Sequence, residues 1–339
     1  MFFGELADRY GRVARDLRVS LTDRCNLRCS YCMPADGLQW LPTEDTLTDD
    51  EVVRLLGVAV TRLGVTRIRF TGGEPLMRKG LERIVAVAAA LAGPNGRPEL
   101  ALTTNGLGLD RRADGLRRAG LDRVNISLDS LDPARYARLS RRDRLPDVLA
   151  GIEAAERAGL LPVKINAVVM RDVNEGDIVP LTEFCLRHGY QLRFIEQMPL
   201  GPSGEWSRDD MVTATEILAA LAGAFDLAPA VEPRGAAPAE LWRIEARGDR
   251  PAGSVGVIAS VTHPFCGACD RTRLTADGQI RNCLFAREES DLRAILRGGG
   301  SDDDLAEAWS VAQWGKSRAH GIDEAGFVQP ARTMSAIGG

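Results

Sequence analysis

The sequence predicts an α/β protein, a partial (β/α)6 TIM-type barrel followed by a C-terminal extension. Two observations carry this. From residue 17 to about residue 225, short apolar runs alternate with amphipathic stretches of helical period, the pattern of βα units repeated around a parallel sheet. Gly64, Gly120, Gly159 and Gly189 each follow a helical stretch, where a left-handed residue closes a helix before the next strand. Strands are expected at 17–21, 67–70, 100–103, 123–128, 162–169 and 191–195, with helices such as 49–63 and 81–91 between them. The run Gly93-Pro94-Asn95-Gly96-Arg97-Pro98 marks the turn before the third strand. An Ala- and Pro-rich stretch, 227–240, reads as a linker, which divides the chain into a barrel at 1–226 and an extension at 227–339.

With 339 residues, 45% of them hydrophobic, the chain can bury one large core or two smaller ones. A net charge of -4 offers no basic stripe to neutralise a phosphate backbone, which argues against nucleic acid as a partner. No apolar run approaches the roughly 18 residues of a membrane span, and residues 1–12 mix acids and bases without a secretory apolar region. A cytoplasmic protein without membrane contact is therefore expected. Its seven cysteines, an odd number gathered mostly in two clusters, suit metal better than a disulfide framework. Cys185, on an expected helix, reads as a buried apolar filler. The charge runs Arg141-Arg142-Asp143-Arg144 and Asp302-Asp303-Asp304 read as solvated faces.

Cys25-x3-Cys29-x2-Cys32 follows the first strand, at the end of a parallel barrel where its chemistry is kept. Three thiolates leave one iron of a 4Fe-4S cluster open to chelate a ligand, whereas an electron-transfer cluster is closed by a fourth cysteine. Zinc is the alternative, but it needs a fourth Cys or His nearby, and no His precedes position 188. Gly72-Gly73-Glu74-Pro75 follows the second strand, and two glycines allow a backbone to approach a ligand closely. Cys266-x2-Cys269-x13-Cys283 supplies a second triplet; here the alternative is a zinc knuckle completed by His263.

The segment Cys25-Asn26-Leu27-Arg28-Cys29-Ser30-Tyr31-Cys32, with Gly72-Gly73-Glu74-Pro75 behind it, resembles the cluster loop of the radical S-adenosylmethionine superfamily. From Leu17 to Gly338-Gly339 the chain resembles the GTP 3',8-cyclases of molybdenum cofactor biosynthesis. That resemblance implies two 4Fe-4S clusters, the second on the C-terminal extension, with S-adenosylmethionine as further cofactor. Cys25, Cys29 and Cys32 would hold the catalytic cluster, and Cys266, Cys269 and Cys283 the other. Tyr31, Gly73, Ser127 and Met198 would contact S-adenosylmethionine. Arg18, Arg69, Thr103, Lys164, Arg271, Thr272 and Arg273 would contact GTP. The implied enzyme is a lyase that converts GTP to (8S)-3',8-cyclo-7,8-dihydroguanosine 5'-triphosphate, drawing on an electron donor and passing its product to the cyclic pyranopterin monophosphate synthase. Whether the chain pairs as a homodimer is left open.

Two other functions compete. A peptide-modifying radical enzyme with auxiliary clusters would carry many more C-terminal cysteines than the three present. An electron-transfer iron-sulfur protein would have no use for Gly72-Gly73-Glu74-Pro75 or the arginines, and binding of S-adenosylmethionine separates it from an enzyme.

Overall fold

A computed structural model describes residues 4–202, 204, 206–322, 324 and 326–338, so the final residue of the Gly338-Gly339 tail lies outside the described residues. Strands β1 (Asp16–Ser20), β2 (Arg67–Thr71), β3 (Glu99–Thr104), β4 (Arg123–Ser127), β5 (Lys164–Val169) and β6 (Gln191–Glu196) alternate with helices. These are α1 (Asp49–Thr61), α2 (Leu81–Ala90), α3 (Ala113–Arg118), α4 (Pro133–Ser140), α5 (Leu145–Arg157) and α6 (Ile178–His188). The chain continues through α7 (Ala214–Ala224), β7 (Leu227–Pro229), β8 (Glu240–Ile244), β9 (Gly253–Ile258) and β10 (Arg271–Leu274). It ends with β11 (Gln279–Arg281), β12 (Ser290–Asp291), α8 (Leu292–Arg297), α9 (Asp302–Trp314) and α10 (Met334–Ile337).

Local signals explain the boundaries. Thr48 and Glu51 form a capping box at the start of α1, with Glu51 N donating to Thr48 Oγ1 at 3.2 Å and Thr48 N donating to Glu51 at 2.7 Å. Gly64, Gly120, Gly159 and Gly189 all have positive φ, between 69° and 101°, as a left-handed helix exit requires. The Asp302-Asp303-Asp304 run fills the first turn of α9 behind its Ser301 cap, where carboxylates complement the helix dipole.

All strands join one sheet in the order β12-β11-β10-β1-β2-β3-β4-β5-β6-β9-β8-β7. The parallel array is wider than the six strands expected, because β10 pairs parallel with β1 and β9 parallel with β6. β9 and β10 do not pair with each other, so the barrel stays open. The sequence boundary at 226/227 falls within this sheet: β7 and β8 pair antiparallel in series onto β9, and one apolar core runs from Leu17 to Trp309 across it. Alanine and proline in 230–239 form the connection between β7 and β8, which is a turn within the sheet.

Strand alternation divides the sheet into two chemistries. Leu17 and Val19, Ile68 and Phe70, Leu100 and Leu102, Val124 and Ile126 are buried on the helix side. Arg18 and Arg69, between such residues, and Thr103 and Ser127, just after them, fall on the opposite face and line a cavity inside. A barrel interior is ordinarily packed with branched apolar side chains, so a charged one marks a ligand space. Phe70, with 0% exposure in the helix-side layer, should be among the costliest core residues to truncate. Phe70→Ala should lower stability by about 3–5 kcal/mol, read as a fall in the urea midpoint.

Candidate active site

The loop carrying Cys25, Cys29 and Cys32 is fixed from three sides. Arg28 N and Ser30 N donate to Ser140 O and Leu139 O at the end of α4, both at 3.0 Å. The Arg28 guanidinium donates to Cys25 O at 2.7 Å and Leu27 O at 2.8 Å, and its plane lies 5.2 Å from the Trp40 ring centre. From the β2 side, Gly73 N donates to Thr22 O at 2.7 Å and Glu74 N to Arg24 O at 2.8 Å. A Cβ at Gly73 would stand 2.3 Å from Asp23 O and one at Gly72 2.4 Å from Thr22 O. The glycines thus first admit the cysteine loop itself, whatever ligand they also admit.

Glu74 completes the junction. It is fully buried and accepts from Leu76 N at 2.9 Å, Thr104 Oγ1 at 2.7 Å and Asn105 N at 2.7 Å. Burial raises its carboxyl to about 7 even against those hydrogen bonds. Asn105, so placed, donates to Asn26 Oδ1 at 2.7 Å and reaches Cys25 Sγ at 3.8 Å. The three thiols line one cavity of about 130 Å³ together with Gly73, Thr103 and Ser127. Burial pushes Cys25 up to about 11 and Cys32 up to about 12, so without a cation both remain protonated. Three free thiols converging on one space, with no fourth cysteine in its lining, fit an iron-sulfur cluster with one open iron. Among the described residues, no group of three or more Cys, His, Asp or Glu side chains is gathered for a single metal ion.

Tyr31, Thr103, Ser127 and Asp129 line both this cavity and a larger one of about 240 Å³. The Tyr31 hydroxyl donates to Asp129 Oδ2 at 2.8 Å, and Asp129 Oδ1 accepts from Val168 N at 2.9 Å. Burial raises the Asp129 carboxyl to about 6. Cys266, Cys269, Cys283 and Met198 line the larger cavity, so the two thiol sets open onto connected space.

Between them stand arginines. Strand register sets Arg273, Arg18 and Arg69 side by side on β10, β1 and β2. Burial, followed by the neighbouring arginines, pushes Arg18 and Arg273 well below the usual guanidinium range. Burial also lowers Arg69, to about 10. The Nε atoms of Arg18, Arg69 and Arg271 are buried without a hydrogen-bond partner, as is Asn166 Oδ1. Asp16 is the buried carboxylate among them; burial opposes its charge, but Arg18, Arg69 and Arg271 hold it below the ordinary value.

Lys164 points inward, but it opens β5 and so lies at the floor of the barrel. It lines a lower cavity of about 330 Å³ that shares Arg69, Arg193 and Arg271 with the cavity of about 240 Å³ above. Burial, then Arg193, Arg123 and Arg69, lowers its ammonium to about 7. Thr272 corrects the sequence expectation. Alternation turns it to the helix side, where it is fully buried and its Oγ1 accepts from Trp309 Nε1 at 3.0 Å. His263 is exposed and absent from the cavity lining, which removes it as a fourth ligand; His320 lines the cavity instead.

Several contributors went unread in the sequence. Arg193 follows the same alternation as Arg18 and could have been found from Gln191-Leu192-Arg193-Phe194. Glu196, fully buried, accepts from Ala214 N, Val261 N and Thr262 N at 2.8–2.9 Å and so anchors the approach to Cys266. Lys316 donates to Cys269 Sγ at 3.4 Å. Burial acts to raise the Cys269 thiol, but Lys316 and Arg271 bring it below its ordinary value. The tail reaches the same place: Arg273 Nη1 donates to Gly338 O at 2.5 Å, and a Cβ at Gly338 would lie 2.5 Å from Thr71 Oγ1.

An open parallel barrel whose thiol loop is packed against a Gly-Gly turn is the architecture of the radical S-adenosylmethionine class, and the family model described as Radical SAM superfamily matches residues 19–185. A second family model, Molybdenum Cofactor Synthesis C, matches residues 190–322. A GTP 3',8-cyclase of Corynebacterium glutamicum is 66% identical over 336 residues, covering 98% of this chain and 89% of that protein. One of Mycolicibacterium smegmatis is 61% identical over 336 residues, covering 99% and 92%. The chain belongs to the GTP 3',8-cyclase family. Streptococcus suis SuiB bound to S-adenosylmethionine shares the fold, with a TM-score of 0.59 at 13% identity over 93% of this chain and 69% of that one.

Because Gly73 sits against the backbone carbonyls of Asp23 and Arg24, Gly73→Ala should part the two loops. After anaerobic reconstitution, the variant should hold less iron per chain than the parent protein, as read by iron analysis.

Proposed function

We propose that this protein is a lyase converting GTP to (8S)-3',8-cyclo-7,8-dihydroguanosine 5'-triphosphate, the first step of molybdenum cofactor biosynthesis. The observation that carries the proposal is a row of arginines between two three-thiol sites in connected cavities, three of which, Arg18, Arg69 and Arg271, bury an Nε that has no hydrogen-bond partner. Cys25, Cys29 and Cys32 would hold one 4Fe-4S cluster, and Cys266, Cys269 and Cys283 a second. The first cluster, with S-adenosylmethionine, would supply the one-electron chemistry that removes hydrogen from C3' of the ribose.

The chain's own residues bind and orient. Tyr31, held by Asp129, stands with Ser127 where the two cavities meet, with Gly73 on the smaller side and Met198 on the larger; this arrangement supports their role toward S-adenosylmethionine. Arg18, Arg69, Arg271 and Arg273, with Thr103 beside them and Lys164 below, offer charged donors suited to a triphosphate. Cys266, Cys269 and Cys283, beside Arg271 and Arg273, would set the guanine end. Gly338, held by Arg273, would restrict the nucleotide from the tail side. In this reading residues 1–226 supply the six central strands and the first cluster site, and 227–339 supply the two flanking parallel strands, the second cluster site, Arg271 and Arg273. The enzyme would work in the cytoplasm with an external electron donor and hand its product to the cyclic pyranopterin monophosphate synthase. No helix among the described residues is long and apolar enough to cross a membrane.

Anaerobic incubation with GTP, S-adenosylmethionine and dithionite should yield an isomer of GTP cyclised between C3' and C8, identified by mass spectrometry and NMR. S-adenosylmethionine cleavage without that product would reject the proposal.

Lys164 makes a pH prediction. With its ammonium at about 7 in the free protein, it is increasingly neutral above neutrality, and a bound triphosphate favours the charged form. GTP binding near pH 8 should therefore take up a proton, and affinity should fall as pH rises above 7, by at most about tenfold per pH unit. Calorimetry in buffers of different ionisation enthalpy measures the uptake, and Lys164→Met should abolish it.

A further inference from the structure

The two thiol sets differ in what donates to their sulfurs. Around the first, the donors to sulfur are neutral: Leu27 N reaches Cys25 Sγ at 3.4 Å and Asn105 Nδ2 at 3.8 Å, while the Arg28 guanidinium bonds Cys25 O and Leu27 O and acts on the thiol only through space. Around the second stands a cation. Lys316, just beyond α9 and 2% exposed, donates from Nζ to Arg271 O at 2.7 Å, Cys269 O at 3.3 Å and Cys269 Sγ at 3.4 Å. All three ammonium hydrogens are thereby directed onto the edge of the cysteine loop.

The segment that carries Lys316 is itself clasped. Arg12 forms a buried ion pair with Asp8 at 2.5 Å. The same guanidinium donates to Cys266 O and Ser317 O, both at 2.7 Å, and to Arg318 O at 2.9 Å. One arginine from the N-terminal hairpin thus ties the segment following α9 to the cysteine loop. Lys316 cannot swing to solvent without breaking these bonds, and its charge is fixed beside one sulfur.

We propose that Lys316 is a positioning residue that raises the reduction potential of the cluster held by Cys266, Cys269 and Cys283. The proposal rests on the reading that these cysteines hold a 4Fe-4S cluster. When such a cluster takes one electron, here from dithionite, its net charge falls by one. Hydrogen bonds and positive charge at the thiolate sulfurs stabilise that reduced form. A fixed ammonium bonded to Cys269 Sγ has no counterpart on the Cys25 side, where the cation Arg28 bonds backbone oxygens and no sulfur, and this contact raises the potential of the C-terminal cluster. The asymmetry would let the two clusters, joined by connected cavities, hold different oxidation states during a turnover.

The test is a redox titration followed by EPR, with dithionite as reductant, in a Cys25→Ala/Cys29→Ala/Cys32→Ala background that leaves the C-terminal cluster alone in the spectrum. Into it are placed Lys316→Met, which removes charge and donors; Lys316→Gln, which keeps a neutral donor; and Lys316→Arg, which restores the charge. At equal iron content the midpoint should fall in the order parent, Gln, Met, with Arg returning it toward the parent. Unchanged midpoints in the Met and Gln variants would overturn the role of Lys316 while leaving the cluster assignment intact. If the Met variant cannot hold iron, the Gln and Arg pair decides alone: a lower midpoint for Gln than for Arg supports the proposal, and equal midpoints reject it. Absence of iron from the triple-alanine parent would instead overturn the cluster reading on which the inference stands.

Discussion

Arg273, Arg18 and Arg69 occupy neighbouring inward positions on three adjacent parallel strands, and burial acts against the charge of each. Arranging like charges in this way works against folding, because each guanidinium loses water and gains a repulsive neighbour. What holds the arrangement is the other face of the same strands: Leu17, Val19, Ile68, Phe70 and Leu274 are buried in the helix layer, and a change of register would exchange the two faces. Asp16 offsets only part of the positive charge. The charges of the barrel's own residues are therefore unbalanced, and a polyanion that enters it relieves repulsion as well as forming hydrogen bonds. Affinity for a triphosphate and resistance of the barrel to unfolding are linked by the same residues.

Two buried carboxylates translate the strand ends into site geometry. Glu74, just after β2, gathers Leu76, Thr104 and Asn105, and through Asn105 reaches Cys25. Glu196, at the end of β6, gathers Ala214, Val261 and Thr262 and fixes the segment that leads to Cys266. Each accepts backbone N–H groups that a loop would otherwise leave unpaired. Each also stands one step removed from a thiol set. The cysteines themselves lie outside the strands and α-helices, so their convergence depends on these acceptors and on the close Gly72-Gly73 packing.

The six central strands, the helix-closing glycines and both thiol triplets were legible because each depends on short-range signals: alternation, positive φ and fixed cysteine spacing. β9 and β10 were not. Their pairing with β6 and β1 joins residues far apart in sequence, and the Ala-Pro stretch before β8 imitates a linker while serving as a turn. Thr272 was misread because a motif was taken as a block, although a strand sends its middle residue to the opposite face. The inward direction of Lys164 follows from strand alternation, but its height in the barrel follows from where β5 begins. Arg12 and Lys316 could not have been found from pattern alone, since their partners at Cys266 and Cys269 lie 254 and 47 residues away.

The same topology bears on whether the two halves of the chain are separable. β9 extends one edge of the parallel array and β10 the other, so the connection between them spans the open side of the barrel. Cys266 and Cys269 lie on that connection, and Cys283 follows β11. The second thiol set thus forms only when both edges are seated, on β6 at one side and β1 at the other. Arg271 and Arg273 depend on β1 in the same way, because their inward placement comes from pairing with Asp16 and Arg18. A fragment beginning after α7 would keep its cysteines yet lose both strands that orient them. The barrel without β9 and β10 would keep the first thiol set but expose Val19 and Phe194 at unpaired edges. The cavity between the two thiol sets belongs to neither half, because it is bounded by strands from each and is closed by the connection that crosses between them.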